Sequence, residues 1–353
     1  MKVFKFYPGN RAKFHLGDSV GKLKETFSSD QLFSALFNCT VLLYGADKAE
    51  KLWSELLKNI SFSSLFYGMK FFNNSNGQSK ELFFLPRPLT LIEEKDRPKD
   101  LLNHKKVKKI KYLSIGAFKL LQQCWKNEGE YYDFNLLNCE VLGDNFACTK
   151  EEIEPLDLDR TSYEKIKLFT SDAKPKVVVS RSKDQSDNFY YQDEIEVTHR
   201  QIGDVFVRPF MYFLCRGEID RQLMAVVRLM ADEGIGGKRS LGMGALGEVV
   251  IEEWPEEMFT GAGVYYMSIS SVYPRPDEVD KLVYYKLTER SGYVFSQHGR
   301  SWRKKRVRLL KEGSIFLGQV SGGLIDIRPE GFEKHKVYLN GKAFLIPTGE
   351  GRP

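Results

Sequence analysis

The segment Gly234-Ile235-Gly236-Gly237-Lys238-Arg239-Ser240-Leu241-Gly242-Met243-Gly244 constrains this chain most. It places five glycines and two adjacent cations between an amphipathic pattern (Ile219, Leu223, Val226, Val227, Met230) and a strand-like run, Ala245–Glu252. Glycines let the backbone come close to a ligand and expose successive N–H groups, and Lys238 and Arg239 can neutralise phosphate. The segment is not a Walker A loop. Arg239 stands where a magnesium-holding Ser or Thr belongs, and position 232, where the first glycine would fall, is Asp. It follows a helix rather than a strand, so it is not a dinucleotide fingerprint. A turn that only permits tight packing is the alternative.

The elements around it set the fold class. Met1–Tyr7 reads as a strand, followed by a polar loop, Pro8–Ser29. Leu32, Phe33, Leu36, Phe37, Thr40 and Val41 have helical spacing, with Ser28, Ser29 and Asp30 as cap candidates and Gly45 as a stop. A second helix runs through Trp53 and Leu57. Ser61–Tyr67 and Glu81–Leu85 flank an Asn/Gly-rich turn as a hairpin, and Ile92–Lys111 is charged and reads as loop. A helix is expected over Ile115–Trp125, a second hairpin over Val177–Arg181 and Phe189–Val197, and a strand over Val205–Cys215. The last hundred residues read as strand and turn. Hairpins mixed with helices predict α+β architecture built from ferredoxin-like units; the alternation is too irregular for a Rossmann-type sheet.

Length and charge narrow the function. The 353 residues suggest two domains, and 42% hydrophobic with 28% charged residues excludes disorder. A net charge of +6 is too small to identify a polyanion partner alone. Its distribution says more: Lys105, Lys106, Lys108, Lys109 and Lys111 precede Tyr112, and Arg300, Arg303, Lys304, Lys305, Arg306 and Arg308 surround Trp302. Such tracts grip a phosphate backbone, meet an acidic partner face, or form a solvated surface. With the glycine-rich segment they favour an RNA or DNA partner.

Catalytic and metal signatures are weak. The five cysteines form no C-x-x-C pair, and no H-E-x-x-H or G-x-S-x-G occurs. His15 stands in the loop after the first strand, where a metal-independent ribonuclease could place a general base; a structural or RNA-contacting role is favoured. Asp157 and Asp159 lack a third ligand and read as a solvated loop. No metal and no cofactor are expected. The first residues do not read as a signal peptide and no run suffices for a membrane span, so a cytoplasmic protein with reduced thiols is expected.

The chain also resembles a known family over most of its length. Phe14-His15-Leu16-Gly17 leads through Phe27-Ser28-Ser29-Asp30 to Leu32–Leu36, and Phe84-Leu85-Pro86-Arg87-Pro88 follows. Gly236-Gly237-Lys238-Arg239-Ser240-x-Gly242-x-Gly244 is similar to a superfamily glycine-rich loop. Near the C-terminus come Ser291–Ser296, Arg303-Lys304-Lys305, Glu312-Gly313-Ser314, Asp326-Ile327-Arg328-Pro329 and His335-Lys336-Val337-Tyr338. In this order they resemble the fourth subunit of the type III-A CRISPR (Csm) effector, within the RAMP superfamily. Residues 126–170 match least. Where the family has a glycine-led aromatic after the thumb tip, this chain has Asn188-Phe189-Tyr190-Tyr191.

The resemblance implies two modified ferredoxin-like (RRM-like) units, 1–253 and 254–353, with a β-hairpin thumb. It implies a non-catalytic subunit that binds the 5′ handle of the CRISPR RNA and meets target RNA only indirectly. It would join a large polymerase-like subunit to a backbone RAMP subunit. The expected RNA-binding residues are His15, Gly17, Lys22 and Lys24; Arg181 and Lys183 on the thumb; Gly236, Gly237, Lys238, Arg239, Ser240, Gly242 and Gly244; and Arg303 and Lys304. The competing expectation is a metal-independent endoribonuclease that processes precursor CRISPR RNA with His15 or another His as base, and the equivalent type III-B subunit is a third.

Overall fold

Period-two alternation in the first strand decides the layering. In a computed structural model, Lys2–Tyr7 points Phe4 and Phe6 to one side of a sheet and Val3 and Tyr7 to the other, all buried. The structure describes residues 1–17, 26–90, 101–125, 136–143, 145–180, 185–256, 259, 261, 263–294 and 302–349.

Four strands form one end of a ten-stranded sheet, in the spatial order Glu248–Glu253, Lys2–Tyr7, Val205–Arg216, Phe66–Asn73, with Glu248–Glu253 at the edge. All neighbours in this set are antiparallel. In chain order the set is strand, helix Ser29–Tyr44, strand, strand, helix Arg221–Glu233, strand, so the spatial order is fourth, first, third, second. Ser79–Pro86 pairs with Phe66–Asn73 as a hairpin and extends the sheet toward Tyr112–Ser114, Phe146–Cys148 and Glu140–Leu142.

Both long helices cover one face. Leu32, Leu36, Val226, Val227 and Met230 pack there with Phe4, Phe6 and Phe213, and the Phe4 and Phe213 rings stack with centroids 4.6 Å apart. The C-terminal part covers the other face, where Val3, Phe210, Tyr212 and Leu214 meet Met267, Ile269, Ile315, Phe344 and Ile346. A strand covered on both faces has no polar side to present. That accounts for the almost unbroken apolar run Phe210–Cys215.

From Tyr265 onward the chain forms a four-stranded sheet (Leu282–Tyr284, Ile315–Leu317, Tyr265–Ser268, Leu345–Gly349) and two two-stranded ribbons. It meets the first sheet through a buried polar seam at the start of helix Ser29–Tyr44. Ser29 N–H donates to Ser64 Oγ at 2.8 Å, and Ser64 Oγ donates to Glu312 Oε1 at 2.5 Å. Ser271 Oγ donates to the same Glu312 oxygen at 3.0 Å, and Ser271 N–H donates to Ser29 Oγ at 2.9 Å. Beside this, Arg290 grips Asp30 with Nε at 2.6 Å and Nη2 at 3.0 Å, and Nη2 reaches Ser28 Oγ at 2.5 Å. All of these residues are buried.

Two expectations are corrected. Within the expected loop 92–111, residues Leu101–Lys109 form a helix; the part up to 100 lies outside the described residues. Val107 and Ile110 are buried while Lys105, Lys106, Lys108 and Lys109 face solvent, and lysine is a good helix former. The run Ser61–Tyr67 is also not one strand: Ser61–Phe62 and Phe66–Asn73 are separate, and Ser63 and Ser64 between them turn into the seam.

A buried ion pair broken on one side leaves an uncompensated charge. Arg290→Met should therefore lower unfolding free energy by about 3–5 kcal/mol, read by urea denaturation. A loss below about 1 kcal/mol would mean Asp30 finds another partner.

Candidate nucleic-acid interface

Helix Arg221–Glu233 starts on Asp220, whose Oδ1 accepts from Leu223 N–H at 2.8 Å, and it ends where Gly234 takes φ +77°. The chain then folds back on itself. Ile235 N–H donates to Gly244 O at 3.0 Å, so the glycine-rich loop closes at its neck. Two further bonds fasten it to the segment after the first strand: Gly237 N–H to His15 O at 2.9 Å and Gly244 N–H to Lys13 O at 2.8 Å. Side chains would prevent this approach. A Cβ on Gly236 would lie 2.7 Å from His15 O, and one on Gly244 2.2 Å from Ile235 O. Gly242 also takes a positive φ, +78°, but has open space around it.

The same segment pairs with a long hairpin. Phe169–Ser180 and Gln185–Val197 form its arms, and Lys13–Phe14 adds a third strand at its base, opposite Glu196 and Ile195. His15 Nδ1 lies 3.0 Å from Asp193 O. A carbonyl only accepts, so Nδ1 donates and the ring is fixed against the hairpin base. Loop, His15 segment and hairpin base therefore form one unit.

Several loop N–H groups are thus spent inside the protein. Gly237 and Gly244 bond as above, and Gly242 N–H donates to Arg239 O at 2.9 Å in a short 3-10 turn, Arg239–Leu241. Among the described residues, no acceptor meets the N–H groups of Lys238, Arg239 and Ser240. Lys238 takes the left-handed conformation, φ +60°, and these three residues are exposed. Arg239 lies 3.8 Å from Glu233, an exposed pair of little energetic weight.

The structure brings His15, Gly236 and Gly237 together directly. Gly17 stands close by, its carbonyl 3.5 Å from Gln31 Nε2 at the start of helix Ser29–Tyr44. Arg303 and Lys304 sit on the C-terminal part. Arg303 is exposed, whereas Lys304 is half-buried; burial pulls its ammonium down in pKa, opposed by the charge of Asp30. The structure therefore places Lys304 beside Asp30 at the start of helix Ser29–Tyr44, and no contact joins it to the glycine-rich loop among the described residues. Lys22, Lys24, Arg181 and Lys183 lie outside the described residues.

The sequence reading missed a charged group. Lys13, Lys174 and Lys176 all approach Glu194, which is 1% exposed, at 3.2, 3.5 and 3.6 Å. The alternation of lysines at 174 and 176 was the signal available, but the partner strand carrying Glu194 is known only from the fold.

The buried thiols are held in their protonated form. Burial pushes the Cys39 and Cys139 thiols up to about 11 and Cys215 to about 12, which leaves these three protonated and unreactive. Among the described residues, no group of three or more His, Cys, Asp or Glu could hold a metal ion, and no helix is long and apolar enough to cross a membrane.

Known proteins share this architecture. Residues 262–348 match the family model for the CRISPR Csm4 C-terminal domain. The CRISPR system protein Csm4 of Methanocaldococcus jannaschii is 28% identical over 388 aligned positions, spanning 100% of this chain and 99% of that protein. Its namesake from Thermococcus onnurineus is 23% identical, over 92% and 93%. Over most of its length the chain is similar to Csm4 proteins, and its C-terminal part matches their C-terminal domain. Among solved structures, the crystal structure of a Csm3–Csm4 subcomplex of the type III-A CRISPR-Cas interference complex superposes with TM-score 0.66 at 25% identity, over 98% of this chain and 99% of that one. A Csm1–Csm4 cassette in complex with cA4 superposes with TM-score 0.57 at 18% identity, with both chains fully covered, which speaks for the fold.

The loop geometry separates two kinds of glycine. Gly244→Ala meets backbone at 2.2 Å as well as a strained φ, whereas Gly242→Ala meets only the strain. Chemical denaturation should show Gly242→Ala losing about 1 kcal/mol and Gly244→Ala at least twice that. Equal losses would show that the neck is not closed in this way.

Proposed function

We propose that this chain is a non-catalytic, RNA-binding scaffold of a type III-A CRISPR interference complex. It holds the 5′ handle of the CRISPR RNA and joins a large polymerase-like subunit to a backbone RAMP subunit, in the cytoplasm. Target RNA is met only through the guide. The observation that carries this reading is the glycine-rich loop fastened to Lys13 and His15 at the root of the long hairpin, with Lys238, Arg239 and Ser240 left exposed. Three consecutive uncommitted N–H groups beside two cations suit a phosphate; single-stranded RNA is commonly held by such contacts and by stacking on aromatic side chains. The exposed Phe189, Tyr190 and Tyr191 on the hairpin offer such rings.

The topology supports the same reading. A strand order of fourth, first, third, second with two helices on one face is that of a ferredoxin-like, RRM-like unit. We take residues 1–253 as that unit, the long hairpin as its thumb, and 254–353 as the second, modified unit. The described partners of relatives point the same way, since solved structures hold Csm4 with Csm3 and with Csm1. Arg303 and Lys304 then extend the interface from the second unit, and Lys22, Lys24, Arg181 and Lys183 from the loop and the thumb.

RNA co-purified with the tagged chain from its host should share one short repeat-derived 5′ end ahead of variable sequence. Scattered ends, or no enriched RNA, overturn the proposal. Replacing Lys238 and Arg239 with Ala should weaken handle binding and flatten the log–log salt slope by about 1.4, at roughly 0.7 per lost phosphate contact on a single strand. An unchanged slope would remove the loop from the interface.

A further inference from the structure

The charged group at the hairpin root has a geometry of its own. Glu194 is buried to 1% exposure, yet its carboxylate serves three ammonium groups whose side chains are 37–41% exposed. Lys13 and Lys174 approach the same oxygen, Oε2, at 3.2 and 3.5 Å, which bounds their own separation at 6.7 Å. Lys176 approaches Oε1 at 3.6 Å. Like charges so close repel strongly unless a counter-charge sits among them. Burial alone would push the Glu194 carboxyl up; Lys13, then Lys174 and Lys176, more than offset this and hold it below its ordinary value.

The group is built into the site. In the hairpin ladder Gln192 stands opposite Lys174 and Tyr190 opposite Lys176, so Tyr190, Gln192, Glu194, Lys174 and Lys176 share one face. Gln192 Nε2 donates to Glu194 Oε1 at 3.3 Å and lies 3.8 Å from Met243 Sδ of the glycine-rich loop. Lys13 carries the carbonyl that accepts from Gly244. The lysines therefore begin beneath the glycine-rich loop and continue outward along the hairpin. Lys174 also lies 3.7 Å from Glu196 Oε2, so two carboxylates face three ammonium groups and the cluster keeps a net positive charge. The lysines keep N–H capacity for an outside anion.

We propose that Glu194 is a positioning residue that presets Lys13, Lys174 and Lys176 as a clamp for consecutive phosphates of a single-stranded RNA backbone, continuous with the glycine-rich loop. This rests on the RNA-binding reading above and adds a second phosphate subsite to it. Glu194 itself does not touch RNA. It gathers three charges that would otherwise spread, and it caps their net charge so that the clamp does not hold every polyanion equally.

The test uses the full chain and two labelled RNA probes of equal length, one carrying the repeat-derived handle and one of random sequence, across a salt series. Replacing the half-buried Lys174 and Lys176 with Gln should flatten the salt slope for the handle probe by about 1.4, and Arg at both positions should restore it. Glu194→Gln adds positive charge to the surface. If Glu194 positions the lysines, this variant loses at least five-fold in its preference for handle over random RNA while binding random RNA no more weakly than the wild type. Preserved preference in Glu194→Gln, or an unaltered slope in the double Gln variant, overturns the clamp alone. A wild-type chain that binds neither probe overturns the clamp and the RNA-binding reading together.

Discussion

The buried grip of Arg290 on Asp30 is the contact on which the arrangement depends. Asp30 lies in the first turn of helix Ser29–Tyr44, and Arg290 belongs to the C-terminal part, 260 residues away in sequence. Around them Ser28, Ser29, Ser64, Ser271 and Glu312 form a closed polar seam in which Ser29 and Ser64 each both donate and accept. Isolated buried charges are costly, and a satisfied network turns that cost into positional selectivity, because only one docking of the two parts pairs every member. The seam therefore fixes how the C-terminal part lies on the sheet. It does so at the helix start whose Gln31 reaches Gly17.

Backbone, rather than side chains, builds the glycine-rich loop into the site. Its neck and its attachment to Lys13 and His15 use main-chain donors and acceptors throughout. Among the described residues, that arrangement leaves the side chains of Lys238 and Arg239 with one loose pair, Arg239 with Glu233. Glycines at 236 and 244 are there for contact with the protein itself, whereas 242 serves the turn.

Much of this was readable from the chain. Helices Ser29–Tyr44 and Arg221–Glu233 are marked by helical spacing and by glycines at their ends, Gly45 and Gly234, and the first also by Ser28 at its start, all local signals. The glycine-rich segment was found for the same reason. Helix Leu101–Lys109 was hidden because four of its nine residues are lysines, and the burial of Val107, with Ile110 just beyond it, is known only from the fold. The seam was unreadable because serines in short clusters look like turn residues. Only tertiary pairing turns Ser63, Ser64, Ser270 and Ser271 into core. The Glu194 group needed the hairpin register, since the residues that meet there are 13, 174, 176 and 194, and no spacing rule joins them.

The long hairpin is mounted like a cantilever. Its root is held by the Lys13–Phe14 ladder and by buried Ile195 and Val197, and the chain leaving it passes through Arg200–Ile202 straight into the central strand Val205–Arg216. The arm Phe169–Ser180 is twelve residues long, about 40 Å at the rise of a strand. Toward the free end the rings become exposed, as at Phe189 and Tyr191. A beam clamped this way bends without sliding, so the distance along it from the glycine-rich loop to those rings is set by residue count. The hairpin is in this sense a ruler whose zero mark lies at the protein core.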